Sequence, residues 1–135
     1  MVDLANMQPS ERTIEILDPG SKRPVGVRVT VVSIDDDKLT KVKRAITDKR
    51  LYLEQRGKSF KSEDIEENRN NILLASITGW EWYNPDPSDA ANHAMFNGEV
   101  PEFNRRNVAN VITTLRWFGD QINEAIGETE SFFQG

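Results

Sequence analysis

Residues 24–31 read Pro24-Val25-Gly26-Val27-Arg28-Val29-Thr30-Val31, with a valine at every second position from 25 onward. Alternation with period two is the pattern of a strand that buries one face and wets the other. The shorter stretch Thr13-Ile14-Glu15-Ile16 has the same period, and Asp18-Pro19-Gly20-Ser21 between the two is turn chemistry. Together they predict a β-hairpin with Ile14, Ile16, Val25, Val27, Val29 and Val31 on one side. A lone hairpin is marginal in water, so that side must lie on helices or on further strands.

Downstream the apolar spacing turns helical. Ser33 or Asp35 is suited to capping a helix, with Asp35-Asp36-Asp37 at its positive end, and the pattern Leu39, Val42, Ile46, Leu53 carries it to about Gln55 before Gly57. Ile14, Val27, Val29 and Val31 of the hairpin are expected to pack on Leu39, Val42 and Ile46, because neither element can bury its stripe alone. Ser62, followed by Glu63-Asp64, opens a second expected helix whose stripe Ile65, Ile72, Leu73, Ile77, Trp80 runs to Gly79. From Tyr83 to Phe103, Pro85, Pro87, Gly98 and Pro101 interrupt the backbone and predict a long loop with one helical turn near Ala90. Asn104 caps the next helix, faced by Val108, Val111, Ile112 and Leu115, and Trp117, Phe118, Ile122, Ala125 and Ile126 continue the pattern. The fold class is therefore α+β: an N-terminal hairpin, alone or within a small sheet, packed on three to four α-helices. Residues 1–12 read as an arm, 13–127 as one domain and 128–135 as a tail.

A chain of 135 residues with 37% hydrophobic and 29% charged side chains fits one globular core. No apolar run reaches the roughly 20 residues a membrane helix needs, and the first residues lack the order of a secretion signal, which predicts a cytoplasmic protein. The absence of cysteine removes disulfides, thiolate nucleophiles and thiolate metal sites, and suits a reducing compartment. A formal charge of −5 argues against nucleic-acid binding. The basic residues Lys38, Lys41, Lys43, Arg44, Lys49 and Arg50 alternate with acids on an expected helix and read as a solvated face.

Chemistry is sparse. His93 is the single histidine, without a second histidine or a cysteine to complete a ligand set. Asp35-Asp36-Asp37 lacks the glycine turn of a calcium loop, and Asp86 and Asp89 sit among turn residues. No phosphate-binding glycine loop, nucleophile elbow or zinc-helix motif occurs. The expectation is a protein without enzymatic activity, metal or cofactor.

Aromatic residues gather in the second half: Trp80, Trp82, Tyr83, Phe96, Phe103, Trp117, Phe118, Phe132 and Phe133. Trp80, Trp117 and Phe118 fall on helical stripes and read as core. Trp82, Tyr83, Phe132 and Phe133 lie outside strong periodicity and are the candidate protein-binding residues, since aromatic anchors are enriched at binding hot spots.

The sequence of features, from the Pro24–Val31 hairpin through Lys43-Arg44, Ile77-Thr78-Gly79-Trp80 and Phe96-Asn97-Gly98-Glu99-Val100-Pro101-Glu102-Phe103-Asn104 to Asn107-Val108, Trp117-Phe118-Gly119-Asp120-Gln121-Ile122 and the closing Phe132-Phe133, resembles the small tail assembly chaperones and tail-region proteins of long-tailed bacteriophages. The stretch Asn84–Asn92 fits that pattern least. The resemblance implies a non-enzymatic protein of the host cytoplasm that binds the tape-measure protein, the tail-tube protein or both and keeps their apolar surfaces from aggregating. Association of identical copies is compatible with it. Two alternatives stand beside it: a minor tail or connector protein retained in the virion, and a small enzyme or enzyme inhibitor with a site in the 83–103 loop, which would need a deep pocket around His93 or Asp89.

Overall fold

The computed structural model describes residues 11–32 and 37–134, with side chains described through Gly127. The arm before residue 11, the candidate caps Ser33 and Asp35, and the side chains of Phe132 and Phe133 lie outside the described residues. In chain order the elements are β1 (Arg12–Leu17), β2 (Pro24–Val31), α1 (Asp37–Gln55), α2 (Ser62–Ser76), β3 (Ile77–Trp82), a 3-10 turn at Ala90–Asn92, α3 (Arg105–Thr114) and α4 (Arg116–Gln134). The fold is α+β, a three-stranded antiparallel sheet in the order β1-β2-β3 with helices on one face.

The hairpin forms as its alternation requires. Ile14 pairs with Val29, Glu15 with Arg28, and the turn is held by the Asp18 carboxylate, which accepts from the backbone N–H groups of Gly20 and Ser21 at 2.8 and 2.9 Å. Val27, Val29, Val31 and Ile16 are buried on the inner face.

The strand β3 corrects the expected helix through Gly79. The second helix stops at Ser76, and Ile77 and Trp80 belong to a strand that pairs with Val31 and Val29. The cause of the misreading is visible in the register. A bulge between Thr30 and Val31 leaves Thr78 as an extra residue, so two inward-facing side chains sit three apart, as on a helix. Helix passes to strand with no intervening loop; Ser76, fully buried, donates its hydroxyl to the Leu73 carbonyl at 2.8 Å while its own carbonyl accepts from Val32 N–H at 2.7 Å.

A second correction concerns what covers the sheet. Its inner face meets Leu73 of α2, Val108, Val111 and Ile112 of α3, and Phe118, Ile122 and Ile126 of α4. Helix α1 instead packs along α2. Leu39 is buried there and Val42 and Ile46 are half-buried, outside the main core. The stripe on α1 was legible, but periodicity alone does not choose its partner: α4 and α2 lie against the strands, and α1 lies on α2.

Local signals set the helix ends. Gly57, at a φ of 66°, closes α1: its N–H reaches the Glu54 carbonyl at 3.0 Å and Lys58 N–H reaches that of Leu53 at 2.8 Å. Asp64 accepts from the backbone N–H of Lys61, and Asn104 from that of Asn107 at 2.8 Å. The backbone leaves helical geometry at Leu115, which separates α3 from α4. The last helix runs to Gln134, so residues 128–134, expected as a tail, continue it.

Candidate protein-binding surface

Trp82 and Tyr83 are adjacent but part company. Trp82 is half-buried on the inner face of the edge strand β3, stacked on Phe118 at a centroid separation of 6.5 Å and edge-on to Trp80 at 5.4 Å. Its indole Nε1–H is buried and finds no acceptor among the described residues. Trp80 donates its own Nε1–H to the Pro101 carbonyl at 3.2 Å and touches Phe103 edge-on at 5.7 Å. Through Trp80 the sheet meets the 83–103 loop.

Tyr83 belongs to the outer face. Its hydroxyl donates to the Glu15 carboxylate, and the Arg28 guanidinium lies 4.2 Å from its ring centroid. Arg28, in register with Glu15 and Glu81 across the three strands, stands 3.7 and 3.5 Å from their carboxylates. Burial, then the hydrogen bond and the charge of Glu15, raise the Tyr83 phenol above its ordinary value of 10.0. Trp82 and Tyr83 therefore do not form one surface with each other, and both are engaged within the fold.

The 83–103 loop is ordered by its own polar side chains. Asn84 Oδ1 accepts from Asp86 N–H at 2.9 Å, the Asp86 carboxylate from Ser88 N–H at 3.1 Å, and the Asp89 carboxylate from Ala91 N–H at 3.0 Å. The hydrogen bonds from the Ser88 hydroxyl and backbone hold the Asp86 carboxyl below the usual carboxylate range. The loop closes on β2 at Gly26, whose carbonyl accepts from Tyr83 N–H at 2.7 Å, while Ala94 N–H donates to the Tyr83 carbonyl at 3.1 Å. His93 is half-buried with Nδ1 at 2.9 Å from the Ala94 carbonyl. Among the described residues no three His, Asp or Glu side chains converge as a metal set, and no helix is long and apolar enough to cross a membrane.

A further candidate surface lies on α1, α2 and α3. An open groove of about 340 Å³ runs between the helices, lined by Val42, Ala45, Ile46 and Lys49 of α1, by Glu67, Asn68, Asn71 and Ala75 of α2, and by Arg105 of α3. Arg105 also borders a neighbouring apolar cleft of about 180 Å³ formed with Leu74, Ile77, Phe103 and Val108.

The polar groups of this groove are uncommitted. Lys49 and Arg105 make no ion pair, and the Asn68 and Asn71 side-chain amides no hydrogen bond, among the described residues. The other face of α2 contrasts with it: Arg69 reaches Asp120 at 2.6 Å and Arg116 reaches Glu66 at 2.8 Å, tying α2 to α4. At the far end of the helical pair Leu51, Tyr52 and Ile65 are 48%, 52% and 59% exposed, with Arg56 stacked 4.1 Å from the Tyr52 ring centroid.

Periodicity could identify Val42 and Ile46 as an apolar stripe, but it placed them in the main core. Ile65 was read as buried on α2, and Leu51 and Tyr52 carried no signal separating them from the rest of an amphipathic helix. Only the pairing of α1 with α2 reveals these positions as surface. No family model, curated protein or solved structure matches the chain.

Proposed function

We propose that this chain is a non-enzymatic tail assembly chaperone of a long-tailed bacteriophage, acting in the host cytoplasm by binding the tape-measure protein, the tail-tube protein or both during tail morphogenesis. The observation that carries the reading is the α1/α2/α3 groove, where apolar Val42, Ala45, Ile46 and Ala75 are flanked by Lys49, Arg105 and two amides without partners among the described residues. An open trough between helices, apolar in part and polar at its sides, is a shape into which an amphipathic helix lays its apolar face. Exposed cations around it set orientation and encounter rate more than affinity. The tape-measure protein, long and helical, offers such faces repeatedly, and covering them before assembly would suppress aggregation.

The test is co-expression of the full chain with the tape-measure protein of the same phage, and separately with its tail-tube protein. The expected result is a soluble complex with one of them, lost in Val42→Asp/Ile46→Asp, and finished particles without this chain. Absence of binding to both proteins overturns the reading. Presence of the chain in purified virions replaces it with a structural tail component.

A further inference from the structure

At the groove two cations stand beside apolar side chains without an ion pair among the described residues. Four arginines elsewhere meet carboxylates: Arg28 with Glu15 and Glu81, Arg50 with Glu54, Arg69 with Glu66 and Asp120, Arg116 with Glu66. At the groove Lys49 and Arg105 face an apolar floor with Glu67 as the carboxylate among the lining residues. A complementary occupant carries apolar side chains together with more than one carboxylate and no basic residue.

The chain itself contains such a segment. Glu128-Thr129-Glu130-Ser131-Phe132-Phe133-Gln134 combines two carboxylates with two phenylalanines and lacks lysine and arginine. Its backbone is helical through Gln134, and Ile126 is the last residue of α4 in the main core among the described side chains. Several other carboxylates are engaged locally: Asp64 caps α2, Glu66 pairs with Arg69 and Arg116, Asp86 and Asp89 hold the loop.

We infer that residues 128–134 of one copy dock in the α1/α2/α3 groove of a second copy, the phenylalanines on the apolar floor and the glutamates toward Lys49 and Arg105. The contact is heterologous, because each copy offers a segment and a groove that are different surfaces, so it builds rings or open chains. It weakens with salt as its ion pairs are screened. The segment is then a placeholder that an external amphipathic helix must displace. The inference stands on the groove and the segment and holds whether or not the chain serves tail assembly.

The test uses sedimentation velocity on the full chain across a concentration and salt series, beside a truncation after Gly127. A labelled synthetic peptide of residues 120–135 is titrated into the truncated protein by fluorescence anisotropy. Expected are concentration-dependent species larger than the monomer for the full chain, a monomer with unchanged melting temperature for the truncation, and saturable peptide binding. Lys49→Glu/Arg105→Glu weakens the peptide by about tenfold or more, and a peptide with Glu128→Lys and Glu130→Lys binds that variant better than it binds the parent. Full-length Phe132→Ala/Phe133→Ala supplies the same comparison should truncation disturb the fold. A full chain that stays monomeric, assembly that survives both changes, or a peptide indifferent to charge reversal in the groove overturns the inference.

Discussion

The side-chain amide of Gln121 grips the backbone of Leu17 on both sides: Oε1 accepts from the Leu17 N–H at 2.8 Å, and Nε2 donates to its carbonyl at 2.7 Å. A helix side chain thereby stands in for a neighbouring strand at the end of β1, where the edge of the sheet would otherwise present unpaired groups. Gln121→Ala is expected to lower stability by about 1–2 kcal/mol, the usual net worth of such bonds. Gln121→Glu keeps the acceptor but sets a carboxylate against a carbonyl. Relative to wild type it should be destabilised at neutral pH and recover as the carboxyl protonates and can donate again. Equal denaturation midpoints for Gln121→Glu and wild type at pH 7 would show that the second bond is worth nothing.

Gly26 sits at a φ of 98° where the loop crosses β2, and a Cβ there would press on the Tyr83 carbonyl oxygen and lie 2.8 Å from Pro85 Cδ. Gly57 also has positive φ, at 66°, yet nothing lies within 4 Å of its would-be Cβ. Gly57→Ala should cost about 1 kcal/mol, from backbone conformation alone. Gly26→Ala adds overlap with backbone and should cost about 3 kcal/mol or more. Urea denaturation of the two variants checks the difference, which vanishes if the loop does not seat on Gly26.

Trp82 supports the fold through its ring and not through its N–H. Trp82→Ala should destabilise by about 2–4 kcal/mol, toward the lower part of the range for large aromatic truncations because the residue is half-buried. Trp82→Phe, which discards an unpartnered buried donor while keeping an aromatic ring beside Phe118, should cost much less. Thermal unfolding of both variants decides it; equal losses would show that the indole N–H finds an acceptor in solution.

Tyr83 makes stability depend on alkaline pH. Its phenol is raised above the 10.0 of an unhindered tyrosine, so the folded state holds the proton more tightly than the unfolded one. The associated stability is fully present below pH 10 and is lost as pH climbs through the raised folded value. Tyr83→Phe should therefore flatten the fall in melting temperature above pH 10 relative to wild type. Parallel curves for the two proteins would remove Tyr83 as the source.

The hairpin was legible because its valines alternate without interruption and Asp18-Pro19-Gly20 marks the turn. Gly57 and Asn104 announced helix boundaries that the backbone obeys. What could not be read was tertiary choice. Ile77 and Trp80 are three apart on either reading, and only pairing with β2 shows that a bulge, not a helical turn, produced the spacing. Leu39, Val42 and Ile46 declared an apolar stripe without declaring whether sheet or helix would cover it. Trp82 and Tyr83 lacked periodic neighbours because Trp82 is the last residue of a six-residue edge strand and Tyr83 the first after it, one facing the core and the other the charge ladder. The groove was hidden for a further reason: an unpaired cation is defined by the carboxylates that fail to reach it, and those are distant in sequence.

The junction at Ser76 gives the molecule a mechanical character. A flexible linker between α2 and β3 would absorb a tilt of the helix as local slack, but here the last helical residue is bonded at once to its own helix and to Val32 at the end of β2. The joint is therefore stiff: a tilt of α2 cannot be taken up between Ser76 and Ile77 without breaking one of these two hydrogen bonds, and the strand that starts there carries Trp80 and, through it, the Pro101 end of the loop.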